Sequence, residues 1–180
     1  MNEQQRTNAS KLLSLVLRHK PEAIGLRLDA EGWADVEELL RCLTTYNAPL
    51  ASEELQELVQ TNSKQRFAFN EDYSRIRANQ GHSIAVDLQL AVQEPPEYLY
   101  HGTVSEFILA IKNEGLRKMD RQHVHLSTDI TTAERVAMRR GKPVILTIQS
   151  REMYRNNLSF YLSDNGVWLT DAVPVNYIVF

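Results

Sequence analysis

The chain has 180 residues, of which 43% are apolar and 24% charged, and its formal net charge is −3. This length fits one large domain or two small lobes with a real core, and the average composition argues against a disordered scaffold. The single cysteine, Cys42, excludes an internal disulfide framework and multi-cysteine metal sites. The slight negative charge argues against a protein that coats nucleic acid non-specifically, but it is compatible with a focused anion site.

The sequence shows no signal or membrane segment. The first ten residues lack the basic-then-apolar order of a secretory signal, and no apolar run approaches the roughly 20 residues that cross a bilayer. We therefore expect a cytoplasmic protein.

The N-terminal half is predicted to begin with three short helices. Apolar side chains recur at helical spacing over residues 9–17, and Pro21 ends this first helix, so that residues 18–20 fall in its last turn. A second helix opens at Asp35, with Glu38 in the capping-box relation. Ser52 is the expected N-cap of the third.

The pattern then changes from helical to alternating. Residues 66–69 and 73–78 alternate apolar and polar side chains, and residues 70–72 between them have turn chemistry. Three short helices followed by a β-hairpin form the outline of a winged helix.

The best candidate for a linker is the segment 92–97, which contains two consecutive prolines. We therefore expect an α+β protein with two domains, residues 1–92 and 97–180. In the second domain, strands are predicted at 98–100, 123–126 and 143–148, and helices at 104–113 and 131–140.

Several common signatures of catalysis are absent from the sequence. It has no G-x-G-x-x-G, no phosphate-binding loop, no H-E-x-x-H and no G-x-S-x-G. If NAD or ATP binds to this chain, it does so without a Rossmann or P-loop device.

Two local groups in the N-terminal half combine arginine with histidine. Arg18 and His19 end the first helix, where cations complement the helix dipole, but His19 also falls on the apolar stripe and could face a cleft. Residues 75–83 place Arg75 and Arg77 on one face of a strand, directly before a polar cluster that contains a glycine. For Arg18 and His19 the helix-dipole role is the favoured explanation, whereas for residues 75–83 a surface turn and a binding site explain the pattern equally well.

A third group is divided over three places in the C-terminal half. His101 and Thr103 at a strand end could hold ribose hydroxyls, and Gly102 between them would allow a close backbone approach. The segments 125–127 and 139–143 add histidine, serine and arginine. Taken singly, exposed polar residues near strand and helix ends explain these segments more simply.

In this order and spacing, the groups resemble the RNA 2′-phosphotransferase family, whose members remove an internal 2′-phosphate from RNA with NAD⁺. The resemblance covers nearly the whole chain, and residues 76–83 are its most specific part. The other matching segments are residues 17–21, Gly32 with Trp33, and residues 100–103, 124–127 and 139–143.

The resemblance implies an N-terminal winged-helix lobe that binds RNA and a C-terminal ADP-ribosyltransferase-like lobe that binds NAD⁺, with the site in the cleft between them. The family's catalytic constellation maps to Arg18, His19, Arg77 and Arg139, with Arg140 as the alternative to Arg139. Cofactor binding maps to His101, Gly102, Thr103 and Ser127, and also to Asn79, Gln80 and His82, whose separate roles the resemblance does not define.

The implied reaction has two steps. The RNA 2′-phosphate first attacks C1″ of the nicotinamide ribose, which expels nicotinamide and leaves an ADP-ribosylated RNA phosphate. The ribose O2″ then attacks that phosphorus, which releases 2′-hydroxyl RNA and ADP-ribose 1″,2″-cyclic phosphate. NAD⁺ is consumed, no metal is required, and we expect a monomer that binds RNA bearing a 2′-phosphate.

Two alternatives stay open. ADP-ribose could be left on a terminal phosphate of RNA or DNA, without the second step. The chain could instead be a winged-helix DNA-binding regulator with a ligand-sensing C-terminal lobe. The net charge of −3 and the glutamates at positions 53, 54 and 57 of the third helix argue against the regulator.

Overall fold

A computed structural model describes residues 1–180 as two units, Met1–Gln89 and Leu90–Phe180, each with its own apolar core. The structure is mixed α/β, with six helices and small antiparallel sheets. No helix in the chain combines the length and the apolar character needed to cross a membrane.

The N-terminal unit contains three helices and a three-stranded antiparallel sheet in the order β1-β3-β2. A 3₁₀ turn, Pro21–Ile24, follows the first helix. The helices are α1 (Glu3–Arg18), α2 (Val36–Thr45) and α3 (Ser52–Gln60), and the strands are β1 (Ala34–Asp35), β2 (Phe67–Phe69) and β3 (Arg75–Ala78).

Capping residues set the ends of these helices. Helix α1 starts before its apolar pattern because the Asn2 side chain accepts the N–H of Gln5 at 2.8 Å, and it ends at Arg18 with His19 as its C-cap. The predicted cap of α2 is confirmed, since the Asp35 carboxylate accepts the N–H of Glu38 at 2.8 Å.

The predicted cap of α3 is wrong by one residue. Ala51 is the N-cap and Ser52 is already helical. The Glu54 carboxylate accepts the N–H of Ala51 at 3.1 Å, so a side chain from the first turn binds back to the N-cap residue.

The apolar stripe of α1 lies in the core of the N-terminal unit. Leu13, Val16 and Leu17 are buried, together with Leu39 of α2 and Ile76 of β3. This packing holds the C-terminal end of α1 against the sheet, which brings the segments that carry Arg18 and Arg77 into one region of the unit.

The C-terminal unit has three helices and three antiparallel sheets, in the orders β11-β7-β4, β6-β9-β8 and β10-β5. Its helices are α4 (Ser105–Glu114), α5 (Ile130–Ala137) and α6 (Ser150–Arg155). Its strands are β4 (Leu99–Val104), β5 (Leu116–Arg117), β6 (Val124–Leu126), β7 (Pro143–Ile148), β8 (Phe160–Leu162), β9 (Trp168–Thr170), β10 (Ala172–Val173) and β11 (Ile178–Val179).

Strand β4 and helix α5 are in close contact. A Cβ atom at Gly102 would collide with the carbonyl oxygen of Ala133 in α5, so only glycine fits at this point of the strand. Helix α5 ends at Ala137, earlier than predicted, and Arg139 and Arg140 lie in the turn that follows it. Helix α6 was not predicted.

The predicted linker is partly attached to the second unit. Val92 forms an isolated bridge with Tyr161. The N–H of Gln93 donates to the carbonyl oxygen of Phe160 at 2.8 Å. These contacts agree with the boundary between the two units, which lies between Gln89 and Leu90, just before the proline-containing segment.

Candidate functional site

In the N-terminal unit, Ser83 connects the end of α1 to the polar segment after β3. Its backbone N–H donates to the carbonyl oxygen of Arg18 at 2.9 Å. Its hydroxyl lies 2.9 Å from Nδ1 of His19. Two groups that are 64 residues apart in sequence therefore belong to one site, and His19 is held by a side-chain hydrogen bond.

Aromatic rings lie beside both arginines of this site. The guanidinium carbon of Arg77 lies 4.5 Å from the ring centroid of Trp33, and that of Arg18 lies 6.0 Å from the ring centroid of Phe67. Such contacts stabilise a cation without neutralising its charge. The site can therefore present two arginines to an anion.

His82 is the buried centre of this group, with 1% of its surface exposed. Its pKa is lowered to about 4, first by burial and then by the positive charges of Arg18, His19 and Arg77. At neutral pH the imidazole is therefore uncharged and adds no further positive charge to the cluster. Neither ring nitrogen has a hydrogen-bond partner within the chain.

Asn79 also lies inside the N-terminal unit. Its side-chain Nδ2 donates to the carbonyl oxygen of Gln65 at 2.6 Å, and its backbone N–H donates to that of Arg66 at 2.9 Å. The buried Oδ1 atom has no partner within the chain. These contacts hold the end of β3 against the segment before β2. Cofactor binding by Asn79, by the half-buried Gln80 and by His82 stays a prediction.

In the C-terminal unit, His101 and Thr103 lie on the same face of β4, opposite to the face on which Gly102 meets α5. His101 Nδ1 lies 3.1 Å from the carbonyl oxygen of His125, so Nδ1 donates its proton and Nε2 is the acceptor of the neutral ring. Burial lowers the pKa of His101, and the charges of Arg140 and Arg121 lower it further. The neutral form is thus favoured.

Ser127 lies beside β4 at the end of β6. Its N–H and carbonyl oxygen exchange two hydrogen bonds of 2.8 Å with the backbone of Tyr100. The structure therefore places Ser127 beside β4, the strand that carries His101 and Thr103, and cofactor binding by these three residues stays a prediction. The packing against α5 gives Gly102 a structural role, and its contact with a cofactor stays a prediction.

Arg121 is a member of this second group that sequence reasoning missed. Its Nη1 atom lies 3.0 Å from Nδ1 of His125. Partial burial of the guanidinium lowers its pKa, followed by the charges of Arg140 and Arg139. The signal in the sequence was its position, four residues before His125, at the entry to a predicted strand.

The C-terminal unit thus gathers three arginines from two loops. Arg139 and Arg140 follow α5, and Arg121 precedes β6. Arg140 also lies over the ring of Phe107, with its guanidinium carbon 5.9 Å from the centroid. The charges of Arg140 and Arg139 act on the partly buried Arg121, and guanidinium groups near one another are suited to an anion with several oxygens, such as a diphosphate.

Metal-ligating side chains do not cluster in either group. Nowhere in residues 1–180 do three or more histidine, cysteine, aspartate or glutamate side chains come together in an arrangement that could hold a metal ion. Arginine, histidine and hydroxyl side chains are the groups that both places share.

Known proteins are similar to this chain over its whole length. The sequence profile of the family described as RNA 2′-phosphotransferase, Tpt1/KptA family, matches residues 4–172. A protein of Flavobacterium johnsoniae named "Probable RNA 2′-phosphotransferase" is 58% identical over 180 residues, which cover 100% of this chain and 99% of that protein.

Relatives with the same name occur in distant bacteria. That of Burkholderia pseudomallei is 54% identical over 174 residues, 97% of this chain and 95% of the relative. That of Streptomyces coelicolor is 49% identical over 180 residues, 100% of this chain and 98% of the relative. On this full-length similarity, the chain belongs to the RNA 2′-phosphotransferase, Tpt1/KptA family.

Proposed function

We propose that this chain removes an internal 2′-phosphate from RNA by transferring the phosphate to NAD⁺. The observation that carries the proposal is the convergence of Arg18, His19 and Arg77 around the buried His82 in the N-terminal unit. Family membership supports the RNA 2′-phosphate as the group on which these residues act.

The N-terminal group is suited to hold that phosphate. Arginine binds phosphate oxygens through two parallel N–H groups and keeps its charge when partly desolvated. The 2′-phosphate is ionised at neutral pH, so attack on C1″ of NAD⁺ requires placement and no general base. Arg18 and Arg77 would place it, and His19 would orient it or deliver a proton to the departing RNA 2′-oxygen.

The residues of the C-terminal unit fit NAD⁺ as the second substrate. The acceptor Nε2 of neutral His101 and the hydroxyls of Thr103 and Ser127 are suited to ribose hydroxyl groups. The arginines at positions 121 and 140 are suited to the diphosphate. NAD⁺ supplies the electrophilic ribose carbon and the O2″ nucleophile of the second step.

In that second step the bond between phosphorus and the RNA 2′-oxygen breaks as O2″ bonds to phosphorus. Negative charge spreads over the non-bridging oxygens, and fixed cations stabilise this charge more than they stabilise the ground state. We assign this role to Arg18, Arg77 and Arg139. The products are 2′-hydroxyl RNA and ADP-ribose 1″,2″-cyclic phosphate, besides the nicotinamide released earlier.

We also propose a fold assignment for each unit. The three helices and β-hairpin of Met1–Gln89 support a winged helix. The small antiparallel sheets of Leu90–Phe180, with polar residues on β4 and after β6, support an ADP-ribosyltransferase-like lobe. On this assignment the first unit binds RNA and the second binds NAD⁺.

The deciding experiment is incubation with NAD⁺ of an RNA that bears one internal 2′-phosphate, followed by identification of every product. We expect 2′-hydroxyl RNA, nicotinamide and ADP-ribose 1″,2″-cyclic phosphate in equal amounts. The same RNA with a 2′-hydroxyl is the matched control and should release nothing. Phosphate removal without NAD⁺, or ADP-ribose retained on the RNA as the end product, would overturn the proposal.

A further inference from the structure

Trp33 lies at the end of a turn that several hydrogen bonds fix. The Asp29 carboxylate accepts the backbone N–H groups of Glu31 and Trp33, each at 2.9 Å. The N–H of Asp29 in turn donates to the carbonyl oxygen of Trp33 at 2.9 Å. The backbone of Trp33 is therefore held through both its N–H and its carbonyl group.

The register of the sheet places this fixed residue opposite Arg77. Strand β1 pairs with β3 so that Ala34 faces Ile76 and Asp35 faces Arg75. Continuing this antiparallel register by one residue sets Trp33 across from Arg77. The indole and the guanidinium are thus cross-strand neighbours, which explains their 4.5 Å separation.

Arg75, two residues earlier on the same face, also lies near the indole, but at a longer distance. Its guanidinium carbon lies 5.7 Å from the ring centroid, and its Nη1 atom forms an exposed ion pair of 3.5 Å with Oδ2 of Asp29. Arg77 is therefore the arginine that the indole contacts more closely. An indole face attracts a cation without accepting from the N–H groups at the edge of the guanidinium.

We propose that Trp33 is a positioning residue that holds the guanidinium of Arg77 for the RNA 2′-phosphate. This inference rests on the proposed function, since it takes Arg77 as a phosphate ligand. The indole restricts the guanidinium to its own side of the sheet, and it neither accepts from the N–H edge nor cancels the positive charge that phosphate oxygens require. An arginine held in advance loses less conformational freedom when the phosphate binds.

The test is a double-mutant cycle read out by equilibrium binding of 2′-phosphorylated RNA in the absence of NAD⁺. Trp33→Leu should weaken binding roughly 3- to 10-fold, and Trp33→Phe, which keeps a smaller ring, should weaken it less. In the Arg77→Ala background, Trp33→Leu should cause no further loss. Binding of the matched 2′-hydroxyl RNA should be the same for all variants.

The inference is overturned if Trp33→Leu weakens binding equally with and without Arg77, or weakens 2′-hydroxyl RNA to the same extent. If the parental chain shows no preference for the 2′-phosphate, the proposed function fails and the inference fails with it. If the parental chain shows the preference and Arg77→Ala loses it while Trp33→Leu keeps it, the role of Trp33 alone is wrong.

Tryptophan fluorescence tests the same inference without the Trp33→Leu variant, which is needed if that variant does not fold. The chain has two tryptophans, so Trp168→Phe makes Trp33 the sole indole fluorophore. Addition of 2′-phosphorylated RNA should change its emission, because the guanidinium over the ring is engaged by the phosphate, and Arg77→Ala should abolish the change. An unchanged emission on saturating RNA, or a change that survives Arg77→Ala, would contradict the inference.

Discussion

The imidazole Nδ1 of His19 and the hydroxyl oxygen of Ser83 are 2.9 Å apart. The backbone N–H of Ser83 also donates to Arg18, the residue before His19. Ser83, in the segment that follows β3, thus fixes both the end of α1 and the imidazole ring of His19. The orientation of His19 depends on this second segment and not on the helix alone.

Replacement of Ser83 by alanine should therefore lower turnover of 2′-phosphorylated RNA by roughly 2- to 10-fold, the value of one hydrogen bond. Ser83→Thr keeps the hydroxyl and should retain most of the rate. Ser63→Ala, at an exposed serine elsewhere in the same unit, is the matched control and should leave turnover unchanged. Equal turnover rates for Ser63→Ala and Ser83→Ala would show that the hydrogen bond between Ser83 and His19 does not contribute to turnover.

Loss of Arg77 or Arg139 should slow the second step more than the first. Removal of one fixed donor from a developing oxyanion typically costs about 10²- to 10³-fold in rate. We expect ADP-ribosylated RNA to accumulate with Arg77→Ala and with Arg139→Ala, as measured by product analysis over time.

The control for these variants is Arg41→Ala, which removes an exposed arginine from α2 and should behave like the parental chain. Parental rates for both Arg77→Ala and Arg139→Ala would disprove the assignment of these two residues.

Arg121→Ala should weaken the binding of NAD⁺ roughly tenfold, because we assign its guanidinium, with that of Arg140, to the diphosphate. Isothermal titration with NAD⁺ measures this effect directly. Arg117→Ala is the matched control, since Arg117 is an exposed arginine whose Nη1 lies 2.9 Å from Glu114. A similar affinity of the two variants for NAD⁺ would show that Arg121 does not bind the diphosphate.

Stability should depend on pH through His82. Its pKa is about 4 in the folded chain and 6.5 when exposed, so between these values the unfolded chain binds more protons. The free energy of unfolding should therefore fall as the pH is lowered from 6.5 to about 4, with His82 contributing about 1.4 kcal/mol per pH unit.

Denaturant unfolding of the parental chain and of His82→Gln over this pH range isolates the contribution, because the other titrating groups are common to both. The variant should show the smaller loss of stability on acidification. Identical pH dependence in the two chains would mean that His82 is protonated as easily in the folded chain as in the unfolded one.

The elements and residues that local chemistry determines were predictable. The apolar stripe of α1, the Asp35 cap and the hairpin each depend on residues close in sequence, and all three agree with the structure. In the segment 76–83, the resemblance to the family points to Arg77, whereas the residue types alone are equally compatible with a surface turn. The helix starts one residue before the position expected from Ser52, at a cap where Glu54 accepts the N–H of Ala51.

Contacts made by strand register were not predictable. Trp33 meets Arg77 because β1 pairs with β3 in one particular register. Arg121 precedes β6, whereas Arg139 and Arg140 follow α5, so the charges that act on Arg121 come from a loop that is separated from it by a strand and a helix. Neither relationship has a local signature, since the residues involved are separated by whole elements.

Gly102 has a consequence for how the C-terminal unit opens. Gly102 lets β4 and α5 lie in backbone contact, so we expect the strand and the helix to open as one unit. The loop with the arginines at positions 139 and 140 is attached to the same helix. Hydrogen–deuterium exchange of the strand amides and the helix amides should therefore follow a single opening event. Loosening of this helix would move the guanidinium groups at positions 139 and 140 away from that of Arg121.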